Sequence, residues 1–332
     1  MRACDVRRGF GFVVAAALGL AFAGLMPQPA AAQPYPSRTI TAVVPLSAGN
    51  AIDVTARIVL EQMSRQMGQP IVVENRVGAG GTVGSNAVAK AAPDGYTLLV
   101  HSSSFTAAAA VYSSLPYDTL KDFAPVARLG LQPTILVTAP TKEFKTAADL
   151  INAAKERPGQ LNYASAGVGS ASHFAVERFR LAAGFQGQHV PFRGPNEAMS
   201  DVMAGRVDFY FLPLAPAMPL LQDKRLVGLA VSTPKRLPAL PEVPTMTELG
   251  LGDAAYPFWT GIFLPRQTPR EIVDRLQNEA LKAVADPGVQ ERFAKLGIDP
   301  FPLGLPEFER YFAEDFEATQ KLAREAGVPK GN

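Results

Sequence analysis

The chain has 332 residues, 47% of them hydrophobic, with 32 Lys and Arg against 30 Asp and Glu and a single cysteine. A charge so nearly balanced and so interspersed gives no electrostatic reason to expect nucleic acid as a partner. One cysteine, Cys4, excludes an internal disulfide and a thiolate metal site.

The first 32 residues read as a secretory signal peptide. Arg2, Arg7 and Arg8 form a basic start, residues 10–25 an apolar stretch, and Ala30-Ala31-Ala32 a small-residue cleavage site before Gln33. Cleavage after Ala32 removes Cys4, three basic residues and one acidic residue, leaving 29 of each sign and no thiol nucleophile. No later apolar run approaches a membrane span, so the expectation is a soluble, exported, periplasmic protein. About 300 remaining residues exceed one comfortable core and point to two lobes.

Short apolar runs then alternate with helical ones, the pattern of an α/β protein with largely parallel sheets. Residues 39–44 read as a buried strand, and Pro45-Leu46-Ser47-Ala48-Gly49-Asn50-Ala51-Ile52-Asp53 as a turn into an amphipathic helix. Asn50 is the expected N-cap and Gly68 the expected stop. A helix N-terminus raised at the end of a strand presents unpaired N–H groups suited to a carboxylate or phosphate. Strands at 71–75 and 97–101 follow, separated by a glycine-rich loop at 78–84 and a small-residue helix near 85–91. Segments 126–131 and 134–139 flank Gln132-Pro133, a candidate crossing between lobes. The plan restarts with a helix at 147–157, a strand at 161–164, and the small-residue turn Ser165-Ala166-Gly167-Val168-Gly169-Ser170. A helix follows with Ala175, Val176 and Phe179 on one stripe. Strands are expected at 189–192, 207–212, 226–232 and 258–264, with a proline-broken loop at 238–244 and closing helices near 269–285, 289–296 and 306–326.

The chemistry concentrates at the two turns, because small residues at their tips let a ligand approach the backbone. Competing readings are weaker. Residues 45–49 miss the G-x-S-x-G nucleophile elbow at Pro45, and no histidine follows His189. Residues 78–84 miss a dinucleotide fingerprint by one place, with His101 where an acidic residue belongs, so that loop reads as structural. His101, His173 and His189 lack metal-ligand spacing; only His173, in the first turn of the second-turn helix, stands near the expected cleft. Trp259 and Phe209-Tyr210-Phe211 read as packing residues, one of which can wall an apolar ligand. No cofactor and no catalytic group is expected.

Several ordered blocks resemble the Bug/TctC family of extracytoplasmic solute receptors, which serve tripartite tricarboxylate transporters. They include Val73-Glu74-Asn75-Arg76 with Gly78-Ala79-Gly80-Gly81, Ala92-Pro93-Asp94-Gly95-Tyr96, Leu115-Pro116-Tyr117-Asp118, Leu161-Asn162-Tyr163-Ala164-Ser165-Ala166-Gly167 and Pro238-Ala239-Leu240-Pro241. The resemblance implies a type II periplasmic-binding-protein fold: two α/β lobes, 33–131 with 257–332 and 132–256, joined by crossing hinge strands around a cleft. It implies a monomeric receptor that captures a small organic carboxylate (a di- or tricarboxylate, or an aromatic carboxylate) for membrane transport subunits. A ligand-sensing receptor and a secreted enzyme acting on a small acid are the alternatives. The matching ligand positions are Leu46, Ser47, Ala48, Gly49, Asn50 and Asp53 in the first lobe. In the second they are Ser165, Ala166, Gly167, Gly169, Ser170 and His173. Ser102, Ser103 and Ser104 lie on a third bordering loop, and Leu212-Pro213 stands where the family often carries an Asp-Asn pair, so a polar wall becomes apolar there. The first turn also departs from the family's P-F-x-P-G-G, with Leu46, Ala48 and Asn50 in place of the aromatic, the proline and the second glycine.

Overall fold

The computed structural model describes residues 35–233 and 235–331; the segment read as a signal peptide, its expected cleavage site and Cys4 lie outside them. Strand β1 (Ile40–Val44) is almost wholly buried and lies between β2 (Ile71–Asn75) and β3 (Thr97–Ser102), parallel to both. Helix α1 (Ala51–Met67) joins β1 to β2, α2 (Thr82–Ala89) joins β2 to β3, and α3 (Ser104–Val111) follows β3 directly. The β1 to α1 connection follows its local chemistry. Asn50 caps the helix by accepting from the Ile52 and Asp53 N–H groups at 2.7 and 3.2 Å. Gly68 stops it in the left-handed region at φ 67°.

The long strand β4 (Phe123–Gln132) carries the chain to the sheet's far edge, and β10 (Phe258–Pro265) returns between β3 and β4, antiparallel to both. The larger sheet therefore runs β2-β1-β3-β10-β4. Beyond Gln132-Pro133 the chain builds a second sheet system. There β5 (Thr134–Thr138) pairs antiparallel with β8 (Tyr210–Pro213) and β9 (Val227–Val231), while β6 (Asn162–Ser165) and β7 (Gln188–Pro191) form a parallel pair. Its helices are α4 (Ala147–Glu156), α5 (Ala171–Ala183), α6 (Pro195–Met203) and α7 (Leu214–Gln222). Helices α8 (Arg270–Ala285), α9 (Pro287–Lys295) and α10 (Glu307–Glu325) close the chain.

The expectation of largely parallel sheets is corrected: β4, β5, β8, β9 and β10 all pair antiparallel to a neighbour. For β4 and β10 the reason is the crossing itself. A strand that leaves one sheet system at Gln132 and another that returns at Phe258 meet head to tail, with Phe258 opposite Gln132. Helices α3, α6 and α7 are additional to the expected elements. Among the described residues, no helix is long and apolar enough to cross a membrane.

Phe105 on α3 is the centre of an aromatic core cluster beside the five-stranded sheet. It is fully buried, with Phe123 edge-on at 4.9 Å, Phe263 at 5.3 Å and Phe312 stacked at 5.7 Å between ring centroids. Trp259 is in the same cluster and is core, not cavity wall. Replacing Phe105 with Ala is expected to cost about 3–5 kcal/mol, since α3 is pinned between the sheet and α10 and cannot collapse into the void. Urea unfolding measures it, and a loss under about 1 kcal/mol would contradict this packing account.

Candidate functional site

The two strand-to-helix turns meet at a cavity of ≈ 60 Å³, room for a few waters or a carboxylate group. It is lined from the first turn by Leu46, Gly49, Asn50, Ala51 and Ile52, and from the second by Ala166, Ser170, Ala171 and Ser172. Gly80, Ser104, Pro195, Asn196, Met199, Tyr210, Leu212, Pro213, Pro216 and Phe258 complete the wall. Larger surface grooves exist, but among the described residues none takes in both turns.

The first turn is held from behind. Asp53 is buried and accepts from the Gly49 N–H at 2.8 Å, the Arg57 Nε at 2.9 Å and the Asn75 Nδ2 at 3.0 Å. The same Asn75 amide donates to the Leu46 carbonyl at 2.9 Å, and the Asn50 amide donates to the Ser47 carbonyl. Burial alone would raise the Asp53 carboxyl; the bonds from Arg57, Gly49 and Asn75 overrule it and hold its pKa below the usual carboxylate range. Gln132, at the end of β4, donates to the Ala51 carbonyl at 2.9 Å and to Thr55 Oγ1 at 2.6 Å, anchoring the crossing point to the helix start.

The second turn is a serine network. Ser170 caps α5 by accepting from the His173 N–H at 3.2 Å, and Ser172 Oγ accepts from the Ala166 N–H at 3.0 Å. Ser165 Oγ accepts from the Gly167 N–H and contacts His189 Nε2 at 2.6 Å. Gly169 sits at φ +75° against α3, where a Cβ would come within 2.6 Å of Val111. One bond ties the second turn to the loop after β3: Ser104 Oγ, at the start of α3, accepts from the Ala171 N–H at the start of α5 at 3.0 Å. Its own proton remains free to donate.

Of the expected ligand positions, Leu46, Gly49, Asn50, Ala166, Ser170 and Leu212 line the cavity. Ser47, Ala48, Asp53, Ser102, Ser103, Ser165, Gly167, Gly169 and His173 do not. Asp53 and Ser165 hold the turns instead. Ser102 ends β3, where its Oγ accepts from the Ser104 N–H at 3.2 Å, and the Ser103 N–H bonds to the Trp259 carbonyl at 3.2 Å. His173 is buried beneath the second turn, stacked on His189 at 3.9 Å, with its Nδ1 facing the Gly169 N–H at 3.4 Å. Ser104, the last residue of the expected third bordering loop, also lines the cavity, while residues the sequence reading did not assign to the site include Gly80, Ser172, Met199, Tyr210 and Phe258. Tyr210 alone carried a hint, as part of an aromatic run able to wall a ligand.

After capping, the Ala51 and Ser172 N–H groups have no protein acceptor among the described residues, and both residues line the cavity. Ser104 adds a hydroxyl donor. Burial pushes the Tyr210 phenol up to about 12, so it too stays protonated. No Asp, Glu, Lys, Arg or His side chain lines the cavity. The arrangement provides hydrogen-bond donors and no general base, which suits holding an anion. Among the described residues no cluster of His, Cys, Asp or Glu is placed to bind a metal ion.

Three comparisons bear on the chain. Residues 55–328 match the family model described as the tripartite tricarboxylate transporter family receptor. A Pseudomonas sp. (strain P51) protein, from the tcbD-tcbE intergenic region, is 41% identical over 290 residues, covering 87% of this chain and 86% of its own. The periplasmic binding protein BugD superposes with TM-score 0.82 at 30% identity, covering 90% of this chain and 100% of its own. An R. palustris protein solved with adipate superposes with TM-score 0.81 at 30% identity, covering 89% and 99%. The two-lobed periplasmic-binding-protein fold is thereby established for the chain.

Two outcomes follow from the supports behind the turns. Asp53→Ala strands the Gly49 N–H, the Asn75 amide and Arg57, and is expected to cost about 2–4 kcal/mol in urea unfolding. Acidification is the second. Burial lowers His101, His173 and His189 to about 3, 4 and 3. The unfolded rings titrate near 6.5, so between that pH and about 4 the unfolded chain binds more protons and stability falls as pH falls. Asp315, raised by burial to about 6, works the other way below pH 6, but one carboxyl opposes three rings. A Tm that rises from pH 6.5 to 4.5 would refute this balance.

Proposed function

The chain belongs to the tripartite tricarboxylate transporter receptor family, and from that premise we propose how it works: it closes two lobes over a small organic carboxylate and delivers it to the membrane subunits of a tripartite transporter. In this reading the lobes are residues 33–131 with 257–332 and residues 132–256, hinged where β4 and β10 pass between the sheet systems. The N-terminal 32 residues direct export, and the mature protein works in the periplasm as a monomer.

The observation that carries the reading is the convergence of two helix starts, each with a spare N–H, on one cavity without ionised side chains. A carboxylate there accepts from Ala51 and Ser172 and from the Ser104 hydroxyl. Hydrogen bonds to a charged group contribute about 1.5–3 kcal/mol each, so three approach the roughly 8 kcal/mol of a micromolar complex. The R. palustris neighbour solved with adipate supports a carboxylate as the ligand. No catalytic step is needed, and purified protein is expected to leave its ligand chemically unchanged.

Ser104 is the pivot of this proposal, since it accepts from one lobe's helix and donates to the anion. Ser104→Ala is expected to weaken carboxylate binding about tenfold or more while the unliganded protein still folds. Ligand at a hundredfold its Kd should add about 2.7 kcal/mol of stability to the parent protein. A panel of mono-, di- and tricarboxylates that produces no thermal shift, on protein freed of carried-over ligand and checked by native mass spectrometry, would overturn the proposal.

A further inference from the structure

We infer that the residues after α10 form a strap, outside the ligand cavity, that holds the second strand-to-helix turn in shape. Helix α10 starts in the aromatic cluster beside the five-stranded sheet, through Phe308 and Phe312. It ends in a different core, where Ala323 is buried with Phe174 and Phe179 of α5, and Leu322 and Val328 pack against the same cluster. The chain turns at Gly327, at φ 67°, and the Val328 N–H returns to the Ala323 carbonyl at 3.0 Å. Gly331 then pairs with the end of α3. Its N–H donates to the Val111 carbonyl at 2.8 Å, and its carbonyl accepts from the Ser113 N–H at 2.9 Å.

The strap also grips α5. Arg180, in that helix's last turn, donates through Nη2 to the Ala326 carbonyl at 2.9 Å and to Glu177 Oε2 at 2.6 Å. Glu177 is buried and accepts from the Tyr163 hydroxyl, and the Tyr163 ring stacks on His189 at 5.1 Å. His189 Nε2 lies 2.6 Å from Ser165 Oγ, which accepts from the Gly167 N–H of the second turn. An unbroken run of contacts therefore leads from Ala326 to the turn. Helices α3 and α5 are bridged twice, by Ser104 and Ala171 at their starts and by residues 326–331 at their far ends. A single hydrogen bond between two helix starts leaves the helices free to splay. A second tie, about 12 Å away along α3, removes that freedom. Gly327, Pro329, Lys330 and Gly331 are exposed, so the tie can be undone without opening either core.

Hydrogen exchange followed by mass spectrometry, on protein dialysed free of carried-over ligand, tests the strap directly. Val328→Ser combined with Gly331→Pro removes the apolar packing and the tie to Val111 at positions that are half-buried and exposed, so both cores stay intact. Amides in a peptide spanning residues 165–175 are expected to exchange at least about tenfold faster, while those of β1 keep their protection. Arg180→Lys keeps a cation beside Glu177 but loses the forked donor that reaches Ala326. It is expected to speed exchange in the same peptide by a smaller factor. Unchanged protection at 165–175 in the double variant would overturn the strap. Equal acceleration in β1 would overturn it too, because that marks a general loss of stability. No change in Arg180→Lys would overturn the link through α5. None of these results bears on the receptor reading, which stands or falls on carboxylate binding.

Discussion

An α-helix cannot satisfy its own first N–H groups, and this molecule places two such helix starts beside one cavity. The side-chain caps decide how many donors remain. Asn50 takes the Ile52 and Asp53 N–H groups and Ser170 takes that of His173, while Ser104 reaches across to take that of Ala171. What is left, one N–H from each turn, is a consequence of cap identity. An uncapped glycine in place of Asn50 would leave two more donors open on α1. The site is therefore tuned by residues whose side chains serve the backbone first.

The Ser104–Ala171 bond makes the two halves of the site interdependent. Ser104 is fixed because it opens α3, whose Phe105 is locked in the aromatic core and whose far end packs on Gly169 of the second turn. Movement of α5 relative to α3 must break that hydrogen bond and disturb the contact at Gly169. An anion that accepts from Ser104 strengthens the same geometry by polarising a hydroxyl already engaged as acceptor. Ligand capture and closure thus share one side chain.

The two turns, the Asn50 cap and most strands were legible in the sequence because each is a local signal: an apolar run, a capping residue, a small-residue tip. Gly80 was not. Its loop failed the dinucleotide pattern and so read as structural, and its place in the cavity arises only when the fold sets residue 80 beside the second turn. Helix α7 was hidden because Pro216 and Pro219 weaken any helical signal over a stretch only nine residues long, although both lie inside it. Helix α3 was hidden by its alanines, which give no amphipathic contrast. His173 and Asp53 were legible as important but not as to role, since sequence spacing places a residue in the first helical turn without saying whether it faces ligand or supports the loop.

That difference in role follows a physical rule. An ionised or titratable side chain inside the cavity would bring its own counter-charge requirement and change the field with pH. Here the ionisable groups stand behind the backbone. Asp53 organises the first turn with Arg57 and Asn75, while His173, His189, Tyr163, Glu177 and Arg180 form a connected cluster beneath the second. Burial keeps the two histidines neutral across the physiological range, so the cluster stiffens the turn without adding a titrating charge next to the anion. A ligand there meets only dipoles, whose direction is set by the fold. A site built this way meets charge with dipoles alone, and leaves the shape of the ligand's body to Leu212, Pro213, Pro216 and Phe258.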